Sequence, residues 1–135
     1  MSIIYKQESF NIVGACFEVY NEMGSGFDEP LYHESLELEF AARAIPYISK
    51  SRLEVRYKGH ILKKNFRPDI IAYSKIILEL KAVKELNDDH RRQVHNYLKA
   101  TGFKLGILVN FCNPTKLEYE RIVNTKNDPP PNLQG

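Results

Sequence analysis

The segment PDIIAYSKIILELK, residues 68–81, is the part of the sequence that is most informative about its fold. It consists of two runs rich in β-branched residues, 68–73 and 75–81, separated only by Ser74. Runs of this composition favour β-strands, and their short separation predicts an antiparallel hairpin. Because both runs are apolar almost throughout, we expect both faces of the hairpin to be buried.

Three segments outside the hairpin have the spacing of amphipathic helices. Apolar residues recur at helical intervals over residues 8–23 and 28–44, and glycines or a proline end both segments. A third helix is predicted from the capping residues at 87 and 88 to about residue 100.

Further strands are predicted before and after the third helix. Alternating residues over 52–57 lead through Lys58-Gly59, a tight turn, into a second strand around 60–66. Residues 103–111 are typical of a buried strand and 117–123 of an edge strand. Helices followed by strands in this order predict an α/β sandwich with a mixed sheet.

Composition places the chain among single globular domains. It has 135 residues, of which 43% are hydrophobic and 27% charged, enough for one core. No apolar run approaches the roughly 20 residues that span a bilayer, and the first residues lack a signal-peptide pattern. We therefore expect a cytoplasmic, non-membrane protein with one domain over 1–123 and a disordered, proline-rich tail over 124–135. Its two cysteines are expected to be reduced thiols.

The net charge of +2 conceals two blocks of opposite sign. Residues 1–49 carry a net charge of −6 and residues 50–67 a net charge of +6. The basic block is either a nucleic-acid-binding surface or a set of solvated side chains that partly neutralise the acidic block. The candidate phosphate-binding residues in it are Arg52, Arg56, Lys58, Lys63, Lys64 and Arg67.

Two acidic residues interrupt the most apolar strands. Because Asp69 and Glu79 are each five residues from Ser74, they are expected to lie opposite each other across the hairpin, where a divalent cation would relieve their repulsion. Lys81 shares the face of Glu79 by strand alternation. Two carboxylates and an ammonium suit phosphoryl transfer with Mg²⁺, or with Mn²⁺ in its place. For Glu79 and Lys81 taken separately, the alternative is an edge-strand salt bridge.

Three polar residues on helices are further candidates. Glu34 lies between Leu31 and Leu38 on the apolar stripe of the second helix, so its carboxylate either faces the core or lies at the rim. Gln93 and Tyr97 are spaced i, i+4 and share one face of the third helix. There they either hold substrate phosphate or the attacking water, or belong to an ordinary helix surface.

Three motifs together resemble a known group of nucleases. Pro68-Asp69, nine intervening residues and Glu79-Leu80-Lys81 resemble the PD-(D/E)XK signature of the restriction-endonuclease-like superfamily. QVHNY, residues 93–97, resembles the QxxxY motif of its RecB-like and phage-exonuclease-like branches. GFDEPLY, residues 26–32, resembles the string that names the GxxExxY family of bacterial and archaeal proteins. The likeness spans about residues 8–111.

The resemblance implies a three-layer αβββαβ core with a mixed central sheet, here preceded by an extra N-terminal helix. It implies Mg²⁺ held by Asp69, Glu79 and an acid of the first core helix. Glu34 matches that acid better than Glu29, which would shape the start of the helix. The catalytic residues that it implies are Asp69, Glu79, Lys81, Gln93 and Tyr97, with Lys81 positioning water or stabilising charge.

We therefore predict a Mg²⁺-dependent nuclease that acts on nucleic acid, with DNA favoured over RNA. A homodimer would suit the cutting of two strands. One alternative is a catalytically silent module of the same fold that binds nucleic acid or another protein. Another is a stress, toxin-like or regulatory protein with a protein partner.

Overall fold

Three helices form in the computed structural model, which describes residues 3–124. They are α1 (Lys6–Met23), α2 (Glu29–Ala42) and α3 (Asp88–Thr101). Pro30 stands in the first turn of α2, where a missing N–H breaks no helical hydrogen bond. The Asn87 side chain accepts a hydrogen bond from the backbone N–H of His90 and caps α3. The three predicted helices are confirmed to within two residues at each end.

Five strands form one mixed sheet. Only the pair of strands that flanks α3 in the chain is parallel, as a helical crossover requires, and the other pairs are antiparallel. In spatial order the strands are β1 (Tyr47–Ser49), β4 (Ile70–Ala72), β5 (Ile76–Lys81), β6 (Leu105–Asn110) and β7 (Glu118–Val123). Two further strands, β2 (Arg56–Tyr57) and β3 (His60–Ile61), pair with each other in a separate sheet.

The β4–β5 hairpin has the predicted register. Ile70 pairs with Leu78 and Ala72 with Ile76, so three residues, 73–75, connect the strands. Tyr73 and Ser74 have positive φ angles of 55° and 59°, and the backbone N–H of Lys75 donates to the Ala72 carbonyl at 3.1 Å. Two successive left-handed residues are typical of the tight turns that match the right-handed twist of paired strands. The turn thus sets which side chains of β4 and β5 lie opposite each other.

Helices cover the sheet on both faces, which gives the predicted three layers. Ile76 and Leu78 belong to a buried cluster with residues of α1 and α2. Ile77, between them, belongs to a second cluster with Val94 and Leu98 of α3. Strand alternation therefore assigns the odd-numbered residues of β5 to the α3 face.

The strands before the hairpin differ from the prediction. The first strand of the sheet is β1, which was not predicted. Its three residues are too few for an alternation of apolar and polar side chains to be recognised. The predicted strands over 52–57 and 60–66 are shorter, and they form β2 and β3 outside the main sheet. An isolated antiparallel bridge between Leu53 and Phe66 pairs the same two segments farther from the turn. The turn at Lys58-Gly59 is confirmed. Residues 53–66 are called the arm below.

Three further predictions concern the C-terminal tail, the two cysteine thiols and membrane-spanning helices. The predicted tail over 124–135 lies outside the described residues except for Asn124, whose backbone N–H donates to the Lys104 carbonyl at 2.9 Å. Asn124 therefore belongs to the folded domain. Cys16 and Cys112 are free thiols, as predicted. Within residues 3–124, none of the helices combines the length and apolarity needed to cross a membrane.

Candidate active site

Asp69 and Glu79 meet where the β4–β5 hairpin opens. The register pairs Ile70 with Leu78, one step before the two acids, so they stand opposite each other as predicted. Glu79 Oε1 accepts a hydrogen bond from the backbone N–H of Asp69 at 3.3 Å. Asp69 Oδ2 accepts one from the backbone N–H of Leu80 at 2.7 Å. Each carboxylate is thus oriented by the backbone of the opposite segment.

The electrostatics of the pair disfavour two bare negative charges. Glu79 is only 7% exposed. Burial, and then the neighbouring charge of Asp69, raise the pKa of Glu79 to about 8, although Lys81 acts in the opposite direction. Near neutral pH, Glu79 therefore retains a proton unless a cation takes its place.

Lys81, Gln93 and Tyr97 form one hydrogen-bonded chain beside the pair. Lys81 Nζ donates to Gln93 Oε1 at 3.3 Å, and Gln93 Nε2 donates to the Tyr97 hydroxyl at 2.9 Å. The Tyr97 ring stacks on Phe66, with centroids 3.5 Å apart and planes inclined by 24°. The structure therefore joins three predicted site residues and adds Phe66, which no motif marks in the sequence.

Glu34 does not face the core. It is exposed, and so is Leu38, at 69%, so the predicted apolar stripe through them is wrong. The buried face of α2 instead carries Tyr32, whose ring stacks on Phe111 with centroids 4.7 Å apart. The other buried residues of the helix are His33, Leu36 and Phe40. Because the amphipathic Tyr32 and His33 supply the buried face, the spacing of the leucines alone does not identify it.

Glu29, in the first turn of α2, is coupled to the site. Burial and then the charge of Asp69 raise the pKa of Glu29, while Lys81 and Lys50 lower it. These influences require Glu29 to lie near the hairpin acids, a relation that the sequence does not reveal because α2 and β4 are separated by the β1 strand and the arm.

A cleft of about 580 Å³ lies between the start of α2 and the end of β1. The backbone N–H of Lys50 donates to the Asp69 carbonyl at 3.1 Å, and Lys50 adopts a left-handed φ of 53°. In the sequence, Lys50 is distinguished only as the first residue of the basic block. The residues that line the cleft are Glu29, Pro30, His33, Glu34, Glu37, Ser49, Lys50 and Asp69.

The acids present suit a hard divalent ion held by few protein ligands. Among residues 3–124, groups of three or more His, Cys, Asp or Glu side chains placed to hold a metal ion are absent. The predicted set of Glu34, Asp69 and Glu79 is therefore not assembled as a cage. The Asp69–Glu79 pair fits an ion such as Mg²⁺, which is commonly bound by one or two carboxylates together with substrate phosphate and water.

The six candidate phosphate-binding cations all lie on the surface. Arg56 forms an ion pair with Glu54, with Nη2 and Oε2 2.9 Å apart. The chain runs from the arm through Arg67 directly into Asp69. The exposed residues of the set are Arg52, Arg56, Lys58, Lys63, Lys64 and Arg67.

Comparison with known proteins agrees with this architecture. The solved structure titled "Crystal structure of SSO0001" superposes with a TM-score of 0.56 at 22% identity, over 73% of this chain and 51% of that one. The likeness shows the fold, and this chain spans about half the length of that protein. The search of curated proteins gives no match. The PD-(D/E)XK nuclease superfamily matches residues 6–122. With a mixed sheet between helices and paired acids on its central hairpin, the chain belongs to the PD-(D/E)XK nuclease superfamily, with a restriction-endonuclease-like fold.

Proposed function

We propose that this protein is a Mg²⁺-dependent nuclease that hydrolyses phosphodiester bonds, with DNA as the favoured substrate. The observation that supports the proposal most is the pairing of the buried Glu79 with the half-buried Asp69, whose mutual repulsion favours a cation between the two acids. Nucleases of this superfamily generally use divalent metal ions, and membership implies binding of nucleic acid.

Asp69 and Glu79 would hold the ion, and Glu29 is the acid of α2 best placed to join them. Glu34 lines the same cleft from an exposed position, so we assign it the lesser part. When bound, a divalent ion neutralises charge that develops on phosphate oxygens and makes water a better nucleophile.

Lys81 would act directly on the reacting groups. Its ammonium has three donors, of which one is directed to Gln93. The others are available to orient the attacking water or to stabilise negative charge on the phosphate. Gln93 and Tyr97 would hold the flexible lysine in place, because each is hydrogen-bonded to the next.

The finer family assignment belongs to the same proposal. We place the chain in the GxxExxY family and in the QxxxY branch on the strings GFDEPLY and QVHNY. Two structural relations support a role for the first of these strings. Glu29 is coupled electrostatically to Asp69, and the Tyr32 hydroxyl donates to the Gly24 carbonyl at 2.5 Å, which fastens the loop before α2.

Cleavage of end-labelled DNA, single-stranded and duplex, tests the proposal. The wild type should cleave with Mg²⁺ or Mn²⁺ and not with EDTA. Asp69→Asn and Lys81→Met should each abolish cleavage while keeping the cooperative thermal transition. Lys99→Met, which removes an exposed lysine in the last turn of α3, should cleave like the wild type. Cleavage that persists at the wild-type rate in Asp69→Asn would contradict the nuclease assignment.

The exposed cations of the arm also support a second candidate, a nucleic-acid-binding module that does not turn over. That protein would bind DNA in the same preparation without cleaving it in either metal. Binding of this kind should weaken steeply as salt rises, because it depends on the release of counterions from phosphates.

A further inference from the structure

The arm exposes apolar side chains that a purely electrostatic contact would not need. Tyr57 is 60% exposed, Ile61 56% and Leu62 43%. The paired strands of the arm are two residues long and lie outside the five-stranded sheet. Large apolar side chains grouped on one small projection indicate a binding surface.

The tip of the arm places two flat side chains next to each other. Lys58 and Gly59, with φ angles of 48° and 83°, form the two-residue turn. The register pairs Tyr57 with His60, so the phenol and imidazole rings leave the same face of the hairpin. Lys58 Nζ lies 5.5 Å from the centroid of the Tyr57 ring. One turn thus combines two π systems and a cation.

The charge of the arm identifies the kind of partner. Arg56 is paired with Glu54. The salt bridges formed within residues 3–124 leave Lys58, Lys63 and Lys64 without an acidic partner. Exposed aromatic faces among cations that lack acidic partners are the combination that binds single-stranded nucleic acid, in which bases stack on the rings and phosphates meet the cations.

We propose that the arm binds an unpaired stretch of nucleic acid, with one base stacked on Tyr57 and the adjacent phosphates held by Lys63 and Lys64. A base inside a duplex already has its faces covered by its neighbours, so it does not offer a surface to Tyr57. The substrates selected in this way contain single-stranded segments, such as a strand end or a flap. The inference deepens the proposed nuclease function and rests on it for the fate of the bound strand.

The structure connects the arm to the catalytic residues. From β3 the chain continues through Phe66 and Pro68 into Asp69. The Phe66 ring stacks on Tyr97, which is hydrogen-bonded to Gln93. A nucleic acid strand held on the arm is therefore bound to the segment of chain that immediately precedes Asp69 of the carboxylate pair.

Binding measured without metal separates this inference from cleavage. The probes are a fluorescein-labelled oligothymidine and a blunt duplex of equal length, titrated in EDTA and followed by fluorescence anisotropy. The wild type should bind oligothymidine more tightly than the duplex. Tyr57→Ala should weaken binding of oligothymidine by about 5- to 150-fold, the loss expected for one stacked base, and should change duplex binding little.

Three further variants give the controls. Tyr57→Phe should bind like the wild type, because the stacking ring remains. Tyr119→Ala removes a tyrosine that is 43% exposed on β7 and should bind oligothymidine normally. The double variant Lys63→Gln and Lys64→Gln should weaken binding of both probes and flatten the dependence on salt, because two phosphate contacts are lost.

The possible failures are distinguishable. Equal affinity of Tyr57→Ala and the wild type for oligothymidine would overturn the role of the arm, even if the protein cleaves DNA with Mg²⁺. Binding of oligothymidine that requires Tyr57, in a protein that never cleaves with Mg²⁺ or Mn²⁺, would support the arm and contradict the nuclease. Tighter binding of the duplex by the wild type would also overturn the preference for unpaired strands.

Discussion

The Glu79 carboxylate accepts a hydrogen bond from the backbone N–H of Asp69, with Oε1 and N 3.3 Å apart. This bond ties a buried acid to the residue whose charge most opposes its ionisation. Backbone hydrogen bonds across the hairpin hold the two carboxylates close together, so their mutual repulsion is a fixed property of the fold. A bound cation or a proton must offset this repulsion.

Stability in metal-free buffer should fall as pH rises. The pKa of Glu79 lies at about 8 in the folded protein against an ordinary 4.5, so the folded state keeps a proton that the unfolded state has lost. The contribution of Glu79 is complete below pH 4.5 and disappears as pH rises through about 8. Its size is on the order of a few kcal/mol. Urea unfolding followed by circular dichroism in EDTA measures it.

Glu79→Gln is the matched control, since the amide fills the same space without titrating. Its free energy of unfolding should depend less on pH than that of the wild type between about pH 5 and pH 8. Parallel curves for the two proteins would show that Glu79 titrates normally.

Two acids of α2 should differ in their effect on metal binding. At pH 8, Mg²⁺ should raise the Tm of the wild type, because the ion binds only the folded pair. Glu29→Gln should weaken the affinity for Mg²⁺ by at least about 10- to 100-fold, because loss of a residue that only supports metal ligands already costs that much and Glu29 would join the ligands themselves. Glu34→Gln should have a smaller effect because Glu34 is exposed. Calorimetric titration with Mg²⁺ measures both, and the opposite order would restore Glu34 as the preferred acid.

Removal of the amide next to Lys81 should slow cleavage more than it affects folding. Gln93→Ala leaves the lysine ammonium without its partner, and misplacement of a catalytic group costs up to about 100-fold in rate. Single-turnover cleavage with saturating Mg²⁺ measures the rate.

Gln7→Ala provides a matched comparison for Gln93→Ala. The Gln7 amide also bonds a residue four positions along its helix, Asn11, at 2.9 Å, but it lies away from the site. This variant should cleave at the wild-type rate. Equal rates for both variants would show that the hydrogen bond from Lys81 to Gln93 does not matter to the reaction.

Two glycine substitutions should have opposite effects on stability. A Cβ at Gly106 would lie 2.7 Å from Val94 Cγ1, so Gly106→Ala should force α3 away from β6 and destabilise the fold by about 1–3 kcal/mol. At Gly14, inside α1, the nearest atom is the flexible Arg43 Nη1 at 3.4 Å. Gly14→Ala should stabilise the protein by about 0.5–1 kcal/mol. Chemical denaturation measures both, and a neutral Gly106→Ala would mean that the α3–β6 contact yields easily.

Local patterns were sufficient for several elements of the fold. The short connection over residues 73–75 centres the register on Ser74, so the placement of Asp69 opposite Glu79 was predictable. The cap at Asn87 and the glycine after Met23 likewise determine where helices begin and end. In each case the cause lies within a few residues of the effect.

Other features arose only from packing between distant segments. β1 is a strand because Tyr47–Ser49 pair with β4. Three residues are too few to predict a strand from their side-chain pattern. The rotation of α2 follows from the stacking of Tyr32 on Phe111, and it turns Glu34 outward.

The central hairpin, its opposed acids and the three helices follow from the amino-acid sequence alone, since turn geometry and side-chain periodicity are local. The coupling of Glu29 to Asp69 and the support of Tyr97 by Phe66 come instead from the packing of the folded chain. Those relations join segments far apart in the chain. They exist because burial of aromatic and aliphatic side chains sets how the helices and the arm dock on the sheet.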